Sequence, residues 1–162
     1  ELCSTRGVNQ RARIVMTEDE VAAFLAASRK VQLGTINKDG TPHLVPMFYA
    51  MIDGRIAFWT YAKAQKSRNI ERDPRVTCLV EAGEDYDELR GVMVYGTAER
   101  VDDPTEILRI GTAVVQRMTG VADVTPLREY IAHTARKRVG YLVRPTRVVS
   151  WDHRKLSAPG RR

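Results

Sequence analysis

A group of basic and hydroxyl side chains follows an apolar segment between Phe58 and Val76, where the sequence is FWTYAKAQKSRNIERDPRV. The apolar residues predict a strand that ends near Thr60, and the polar residues after it predict one or two helical turns ending at Asp73-Pro74. A helix start attracts anions because its first backbone N–H groups are unpaired and the helix dipole is positive there. We therefore expect this strand-to-helix junction to bind a phosphate group.

The side chains around the junction add positive charge and hydrogen-bond donors. Lys63, Lys66 and Arg68 are cations, and Thr60 and Ser67 carry hydroxyl groups that can donate to a phosphate oxygen. Basic turns are also common on protein surfaces, so these residues by themselves fit a solvated helix equally well. The choice between the two interpretations depends on the rest of the chain.

Length and composition favour a single globular domain. The chain has 162 residues, of which 43% are hydrophobic and 28% are charged, close to the average of soluble proteins. No segment approaches the roughly 20 apolar residues that a membrane-spanning helix needs. Residues 1–14 contain no apolar signal core. We therefore expect no membrane span.

The cysteines and histidines predict neither a disulfide framework nor a metal site. Cys3 and Cys78 are far apart in the sequence, and His43, His133 and His153 show no paired ligand spacing. Cysteine usage of this kind is typical of a reducing compartment. We expect a cytoplasmic protein without a bound metal.

The net charge of +6 is concentrated at the two ends of the chain. Residues 1–16 hold three arginines against one glutamate, and residues 152–162 hold four basic residues against one aspartate. The segment between them is close to neutral, so its charge does not require a nucleic-acid partner. We expect residues 1–16 to form a tail, residues 17–151 to form one domain, and residues 152–162 to form a basic tail.

The first half of this domain has the pattern of an antiparallel meander. A capping box over Thr17–Glu20 begins a helix that ends near Ser28. Strands are predicted over 31–36, 42–52 and 55–60, joined by turns at Asn37–Gly40 and Asp53-Gly54. Two more strands, over 75–80 and 90–101, follow the basic helix.

In the predicted strand 42–52, the side chains that alternate between the two faces are mostly apolar on both faces. This pattern predicts that both faces are covered. One set is Val45, Met47, Tyr49 and Met51, and the other is Leu44, Pro46, Phe48, Ala50 and Ile52. A helix, a ligand or a second chain would cover the outer face. Pro46 lacks a backbone N–H, so it predicts an edge strand or a bulge.

The second half adds helices and a final pair of strands. Asp103, Pro104 and Glu106 begin a helix that Gly120 ends. Its predicted apolar stripe is Ile107, Leu108, Val114, Val115 and Met118. A further helix capped by Thr125-Pro126 has Leu127, Tyr130 and Ile131 on its apolar side, and two strands over 139–143 and 146–151 meet at Arg144-Pro145. About seven strands without regular alternation with helices predict a mainly β fold, a small antiparallel barrel with peripheral helices.

Four motifs in this order resemble the pyridoxamine 5′-phosphate oxidase-like family of flavin- and deazaflavin-binding split β-barrels. They are Gly40-Thr41-Pro42, Phe58-Trp59-Thr60, Asp73-Pro74-Arg75-Val76 and the strand from Val92 to Arg100. Each motif is weak alone, but their order and separations over residues 31–101 are specific. The resemblance implies a split β-barrel of six to seven antiparallel strands.

The resemblance also assigns candidate cofactor contacts. Thr60 falls on the family's threonine, and Lys66 falls on the lysine of its Ser-Arg-Lys phosphate motif. Ala64 and Gln65 replace the serine and arginine of that motif, and Val45, Ala50 and Gly91 replace further FMN contacts. Beside the junction residues, the candidate cofactor-binding positions are His43, Val45, Pro46, Trp59 and Trp151.

With these replacements, the sequence resembles the branch of the family that uses the deazaflavin coenzyme F420. The resemblance implies a homodimer with a cofactor groove between subunits, and hydride transfer from reduced F420 to a small unsaturated or oxidised organic substrate. An FMN-dependent oxidase or reductase is one alternative, and a non-catalytic flavin-, F420- or haem-binding protein is another. The sequence identifies no catalytic residue, although His43, Tyr49 and Tyr61 are candidate proton donors.

Overall fold

The structure is a computed structural model that describes residues 9–157, which form one antiparallel sheet with peripheral helices. The strands are β1 Lys30–Ile36, β2 Pro42–Phe48, β3 Ala50–Ile52, β4 Arg55–Tyr61, β5 Arg75–Ala82, β6 Arg90–Val101 and β7 Arg138–Asp152. The helices are α1 Gln10–Ile14, α2 Glu18–Ala27, α3 Gln65–Arg72, α4 Pro104–Thr119, α5 Arg128–Ala135 and α6 Arg154–Ser157, with short 3₁₀ turns at Tyr86–Glu88 and Thr125–Leu127.

The seven strands follow the order β2-β1-β5-β6-β7-β4-β3, and every pairing is antiparallel. The two outermost strands, β2 and β3, are consecutive in the chain, so the sheet curls and its ends approach each other. The predicted split β-barrel with peripheral helices is confirmed. Pro46 lies in β2 at the edge of the sheet, where a missing N–H costs no internal ladder bond.

The prediction of one strand over residues 42–52 is wrong, because the chain leaves the ladder at Tyr49. Tyr49 is fully buried, and its hydroxyl donates to the Leu25 carbonyl oxygen over 2.6 Å. Its N–H donates to the Arg29 carbonyl oxygen. These bonds to α2 and the segment after it divide the predicted strand, so that β2 pairs with β1 and β3 pairs with β4.

The prediction of two final strands is also wrong, because β7 is continuous from Arg138 to Asp152. The pairing register with β6 shifts by one residue between Tyr95 and Gly96, which leaves Thr146 as the extra residue of a β-bulge. The Thr146 hydroxyl donates to the Tyr95 carbonyl oxygen over 3.1 Å. The bulge accommodates Pro145 without ending the strand.

The core has two parts, one inside the barrel and one between its outer face and α4 and α5. Leu33, Phe58 and Tyr141 belong to the inner cluster, and Trp59 and Ile110 belong to the outer one.

The helix α4 begins as predicted, since the Asp103 carboxylate accepts from the Glu106 N–H, and it ends at Gly120 with a φ of 72°.

The predicted apolar stripes of α4 and α5 need correction. Leu108 and Met118 are 38% and 39% exposed, while Ile110 and Gly111 are buried on the side of α4 that faces the sheet. The segment Thr125–Leu127 is a 3₁₀ turn ahead of α5. Leu127 and Tyr130 are exposed, and Ile131 alone of the three predicted residues is buried.

The predicted tails contain ordered residues. In the first, α1 packs against α6 and β7, and the Met16 N–H donates to the Ser150 hydroxyl over 3.0 Å. In the second, the Lys155 ammonium group donates to the Val15 carbonyl oxygen over 2.8 Å and pairs with Glu20. Residues 1–8 and 158–162 lie outside the described range, and the division into domain and tails stays a prediction.

None of the described helices is long and apolar enough to cross a membrane.

Candidate anion and cofactor site

The helix α3 begins at Gln65, directly after β4 and a short loop. Its N-cap residue is Ala64, and no side chain caps the first turn. An alanine side chain cannot accept from the first N–H groups, so these donors are left for another acceptor. The predicted strand-to-helix junction is therefore present, and its first N–H groups are donors of the kind that can bind an anion.

Two cations from distant parts of the sequence lie near this helix start. Burial of Lys66 and the nearby charge of Arg138 both lower the pKa of the Lys66 ammonium group. Arg138 is the first residue of β7 and pairs with Tyr61 at the end of β4. Neither cation forms an ion pair with a described carboxylate. Their repulsion is therefore not compensated within the described part of the chain.

The aromatic side chains of β4 hold the Arg138 guanidinium group. Its carbon atom lies 4.4 Å from the centroid of the Tyr61 ring and 4.8 Å from that of Trp59. The Arg138 Nε atom is buried without a hydrogen-bond partner among the described residues. The stacking leaves the charge in place and a donor unused, which suits an anionic ligand.

Trp59 is thus a support for Arg138 in this structure. The indole ring is 6% exposed and packs against α4. A Cβ atom built on Gly111 would lie 2.4 Å from that ring, so only glycine permits this approach of the helix.

Two of the predicted junction residues use their polar groups within the chain. Ser67 is fully buried, and its hydroxyl donates to the Tyr61 carbonyl oxygen over 3.0 Å. The Gln65 side-chain amide donates to Asn69 over 2.9 Å. Lys63 and Arg68 are exposed on either side of the helix start, and Thr60 is buried below it at the end of β4.

Sequence reasoning missed Asn69, a fully buried side chain at the centre of a hydrogen-bonded network. Its amide group donates to the Thr35 hydroxyl and to the Asn37 side-chain oxygen, each over 3.0 Å. The only available signal was its place beside Ile70, the one aliphatic residue of α3. The partners of Asn69, on β1 and in the turn after it, are too distant in sequence for a local pattern to reveal them.

The predicted positions on β2 lie on two different faces. His43 lies 3.5 Å from the Thr35 hydroxyl, measured at its Nδ1 atom, and therefore connects to the same network as Asn69. Val45 pairs with the buried Leu33. Pro46 is exposed on the opposite face.

Trp151 lies far from the junction residues along β7. Thr60 pairs with Val139 near the start of β7, whereas Trp151 pairs with Gly91 near its end. The separation along β7 is about 40 Å at about 3.3 Å per residue. A Cβ atom on Gly91 would lie 2.2 Å from the Trp151 ring, so the indole occupies the space where a longer side chain would project.

The candidate proton donors differ in accessibility. Tyr49 is buried, and burial raises the pKa of its hydroxyl, which already donates to Leu25. Tyr61 is exposed beside Arg138. Among the described residues, no cluster of three potential metal ligands occurs.

A separate cavity of about 760 Å³ lies at the other end of the barrel. Its apolar wall includes Leu25, Ile56, Val94 and Val148. It runs from α2 to the inner face of β7 and does not include the residues of the α3 start.

Comparisons with known proteins define the family. The sequence model described as pyridoxamine 5′-phosphate oxidase matches residues 17–152. No curated protein matches the chain. Among solved structures, a conserved hypothetical protein of Mycobacterium tuberculosis, Rv2991, is 46% identical, with a TM-score of 0.86 and 96% of each chain covered.

Several other similar solved structures carry functional descriptions. One described as an F420 reductase is 28% identical, with a TM-score of 0.60 over 78% of this chain and 93% of that chain. HutZ, a haem storage protein from Vibrio cholerae, is 16% identical, with a TM-score of 0.64 over 82% of this chain and 94% of that chain, and shows the fold alone. The family match and the split barrel together show that the chain belongs to the pyridoxamine 5′-phosphate oxidase family.

Proposed function

We propose that this chain binds the deazaflavin coenzyme F420 and acts as a reductase on a small unsaturated or oxidised organic substrate. The observation that carries the proposal is the proximity of the Lys66 and Arg138 charges at the uncapped start of α3. Two cations without a described carboxylate partner, one with a buried unused donor, fit a phosphodiester ligand.

The side chains at the junction favour F420 over FMN. Gln65 stands where the resemblance places an arginine, and its amide is bonded to Asn69. Ala64 offers no hydroxyl group at the position of the family's serine. Arg138 instead supplies a guanidinium from the neighbouring strand. The F420 reductase among the similar structures supports the same choice of coenzyme.

Bound reduced F420 would supply the hydride, so the chain needs no catalytic triad or carboxylate pair. Lys66, Arg138 and the first N–H groups of α3 would hold the phosphodiester. The exposed Lys63 and Arg68 would attract the acidic tail of the coenzyme. The structure assigns no proton donor to the reaction.

We further propose a homodimer with the coenzyme groove at the subunit interface. The helices α4 and α5 cover the outer face of β3, β4 and the first part of β7. On the outer face of β2, Leu44 is 65% exposed beside a groove of about 500 Å³ that includes Gly34 and Tyr95. A second copy would cover this apolar face, as the sequence of β2 predicts.

Calorimetric titration of the purified protein with F420, FMN and haem tests the proposal. We expect F420 to bind with the highest affinity. Tight binding of FMN without F420 would overturn the choice of coenzyme, and binding of haem alone would support the non-catalytic alternative.

Two further measurements complete the test. Light scattering should give the mass of a dimer, and a monomer would contradict the proposed interface. Consumption of reduced F420 should then be followed by absorbance with conjugated alkenes and carbonyl compounds. Binding without turnover of any such compound would support a non-catalytic carrier.

A further inference from the structure

Asn69 uses its entire hydrogen-bonding capacity inside the protein. Its amide nitrogen donates to Thr35 and Asn37, and its oxygen accepts from Gln65 over 2.9 Å and from Arg72 over 3.0 Å. An asparagine side chain offers two donor hydrogens and two acceptor positions, so all four are occupied. Such a saturated buried amide has a single allowed orientation.

On one side, the network reaches the turn between β1 and β2. The Asn37 amide donates to the Thr41 hydroxyl over 3.1 Å, and that hydroxyl donates to the Asp39 carboxylate over 2.6 Å. The Asn37 N–H also donates to the Thr41 carbonyl oxygen. The turn containing Gly40-Thr41-Pro42 is therefore bonded through Asn37 to Asn69.

On the other side, the network holds both ends of α3. Gln65 is the first residue of the helix, and Arg72 is the last. Arg72 also donates to the Ile36 carbonyl oxygen at the end of β1. Asn69 and Arg72 thus tie the helix to the hairpin. Gln65, the neighbour of Lys66 in the first turn, is bonded to Asn69 and so is connected to the same contact.

We propose that Asn69 is a positioning residue that fixes the first turn of α3 against the β1–β2 hairpin and so directs Lys66 toward a bound phosphate. The inference rests on the proposed function for the identity of the ligand. The positioning of α3 by Asn69 does not depend on that ligand, because every hydrogen bond of the network is made within the chain. Thr35 is the partner that transmits the constraint from β1.

Substitutions at Thr35 test this role with little change in shape. Thr35→Val removes the hydroxyl that accepts from Asn69, whereas Thr35→Ser keeps it. We expect Thr35→Val to weaken F420 binding by roughly tenfold, the scale of one lost hydrogen bond, and Thr35→Ser to stay within about twofold of the wild type. Equal affinities for both variants would overturn the proposal.

A double-mutant cycle separates positioning from general stability. Asn69→Ala should weaken F420 binding in the wild type and cause little further loss in a Lys66→Ala background, since the effect passes through Lys66. Equal losses in both backgrounds would overturn the proposal. Val80→Ala, a buried substitution in β5 away from α3, is the stability control and should lower the melting temperature without changing affinity.

A measurement without coenzyme distinguishes this inference from the proposed function. Burial and Arg138 lower the pKa of Lys66, and both effects depend on where the first turn of α3 lies. In NMR titrations, Thr35→Val should raise the Lys66 pKa toward its ordinary value, and Thr35→Ser should leave it low. If wild type does not bind F420, the proposed function fails while this shift still supports the positioning role. An unchanged Lys66 pKa in Thr35→Val would overturn it.

Discussion

The Arg138 guanidinium carbon lies 4.8 Å from the centroid of the Trp59 indole ring. The two residues come from adjacent antiparallel strands, β7 and β4, and α4 packs behind the indole at Gly111. The charge that faces the start of α3 is therefore held by the outer core of the barrel. Changes in the packing of α4 should alter ligand binding through this stack.

Arg138→Lys tests whether the planar group matters beyond its charge. A lysine keeps the positive charge but loses the flat contact with Trp59 and Tyr61 and the fixed fork of donors. We expect a loss of F420 affinity of at least about fivefold, from a stacking contribution of about 1 kcal/mol. Arg136→Lys, an exposed change two positions earlier, is the control and should have no effect. Equal affinity in the two variants would show that charge alone is required.

Lys66→Ala tests the anion site directly. We expect a loss of about 1.5–3 kcal/mol in binding free energy, the range for a hydrogen bond to a charged group. Calorimetry with F420 measures it. Lys30→Ala removes an exposed lysine at the opposite end of β1 from the α3 contact and should leave the affinity unchanged. Unchanged affinity in Lys66→Ala would remove this lysine from the site.

Gly111→Ala should disturb the packing of α4 against Trp59, the ring on which Arg138 stacks. The added methyl group would lie 2.4 Å from the Trp59 ring, so the indole or α4 has to move. Overpacking of this kind costs about 1–3 kcal/mol in the free energy of unfolding. Chemical denaturation measures the loss, and Thr105→Ala on the exposed side of α4 should change stability by less than about 0.5 kcal/mol. A fully stable Gly111→Ala protein would contradict the packing described.

The Asp73 carboxylate after α3 should titrate at unusually low pH. Hydrogen bonds from the Arg75 side chain and N–H lower the pKa of Asp73 to about 2. Because the pKa is below its unfolded value of about 3.9, the contribution to stability is present above pH 4 and is lost as the pH falls toward 2. Carboxyl NMR titration should show the Asp73 pKa rising in Arg75→Gln. The same low pKa in that variant would exclude the Arg75 side chain as the cause.

Cys78 should be unreactive in the folded protein. Burial raises the pKa of its thiol to about 12, so almost no thiolate exists near neutral pH. In a Cys3→Ser background, a thiol reagent at pH 8 should modify Cys78 only after unfolding in guanidinium. Rapid modification of the native protein would show that β5 opens locally.

Local sequence patterns predicted much of the fold. The capping box at Thr17, the turn before Pro42 and the strand over 90–101 depend on neighbouring residues, and the structure contains all three. The break at Tyr49 was not predictable in this way, because its cause is a bond to the Leu25 carbonyl oxygen. The continuous β7 was missed because a bulge accommodates a proline that usually ends a strand.

The candidate site was predictable only in part, because some of its residues come together through contacts between distant segments. Lys66 and the helix start belong to one short segment, so the sequence showed them together. Arg138 reaches Lys66 through the pairing of β4 with β7, and Asn69 reaches Thr35 through the packing of α3 on β1. Such partners depend on strand order, which local periodicity does not specify.

The position of β7 within the sheet has a consequence for how the protein folds. The last of the described strands lies between β6 and β4 in the middle of the order, so β4 and β3 join the other described strands only through it. During synthesis, the earlier strands emerge without the partner that unites them. We expect the sheet to assemble late, after translation has passed residue 152, with the slow kinetics of contacts between distant segments.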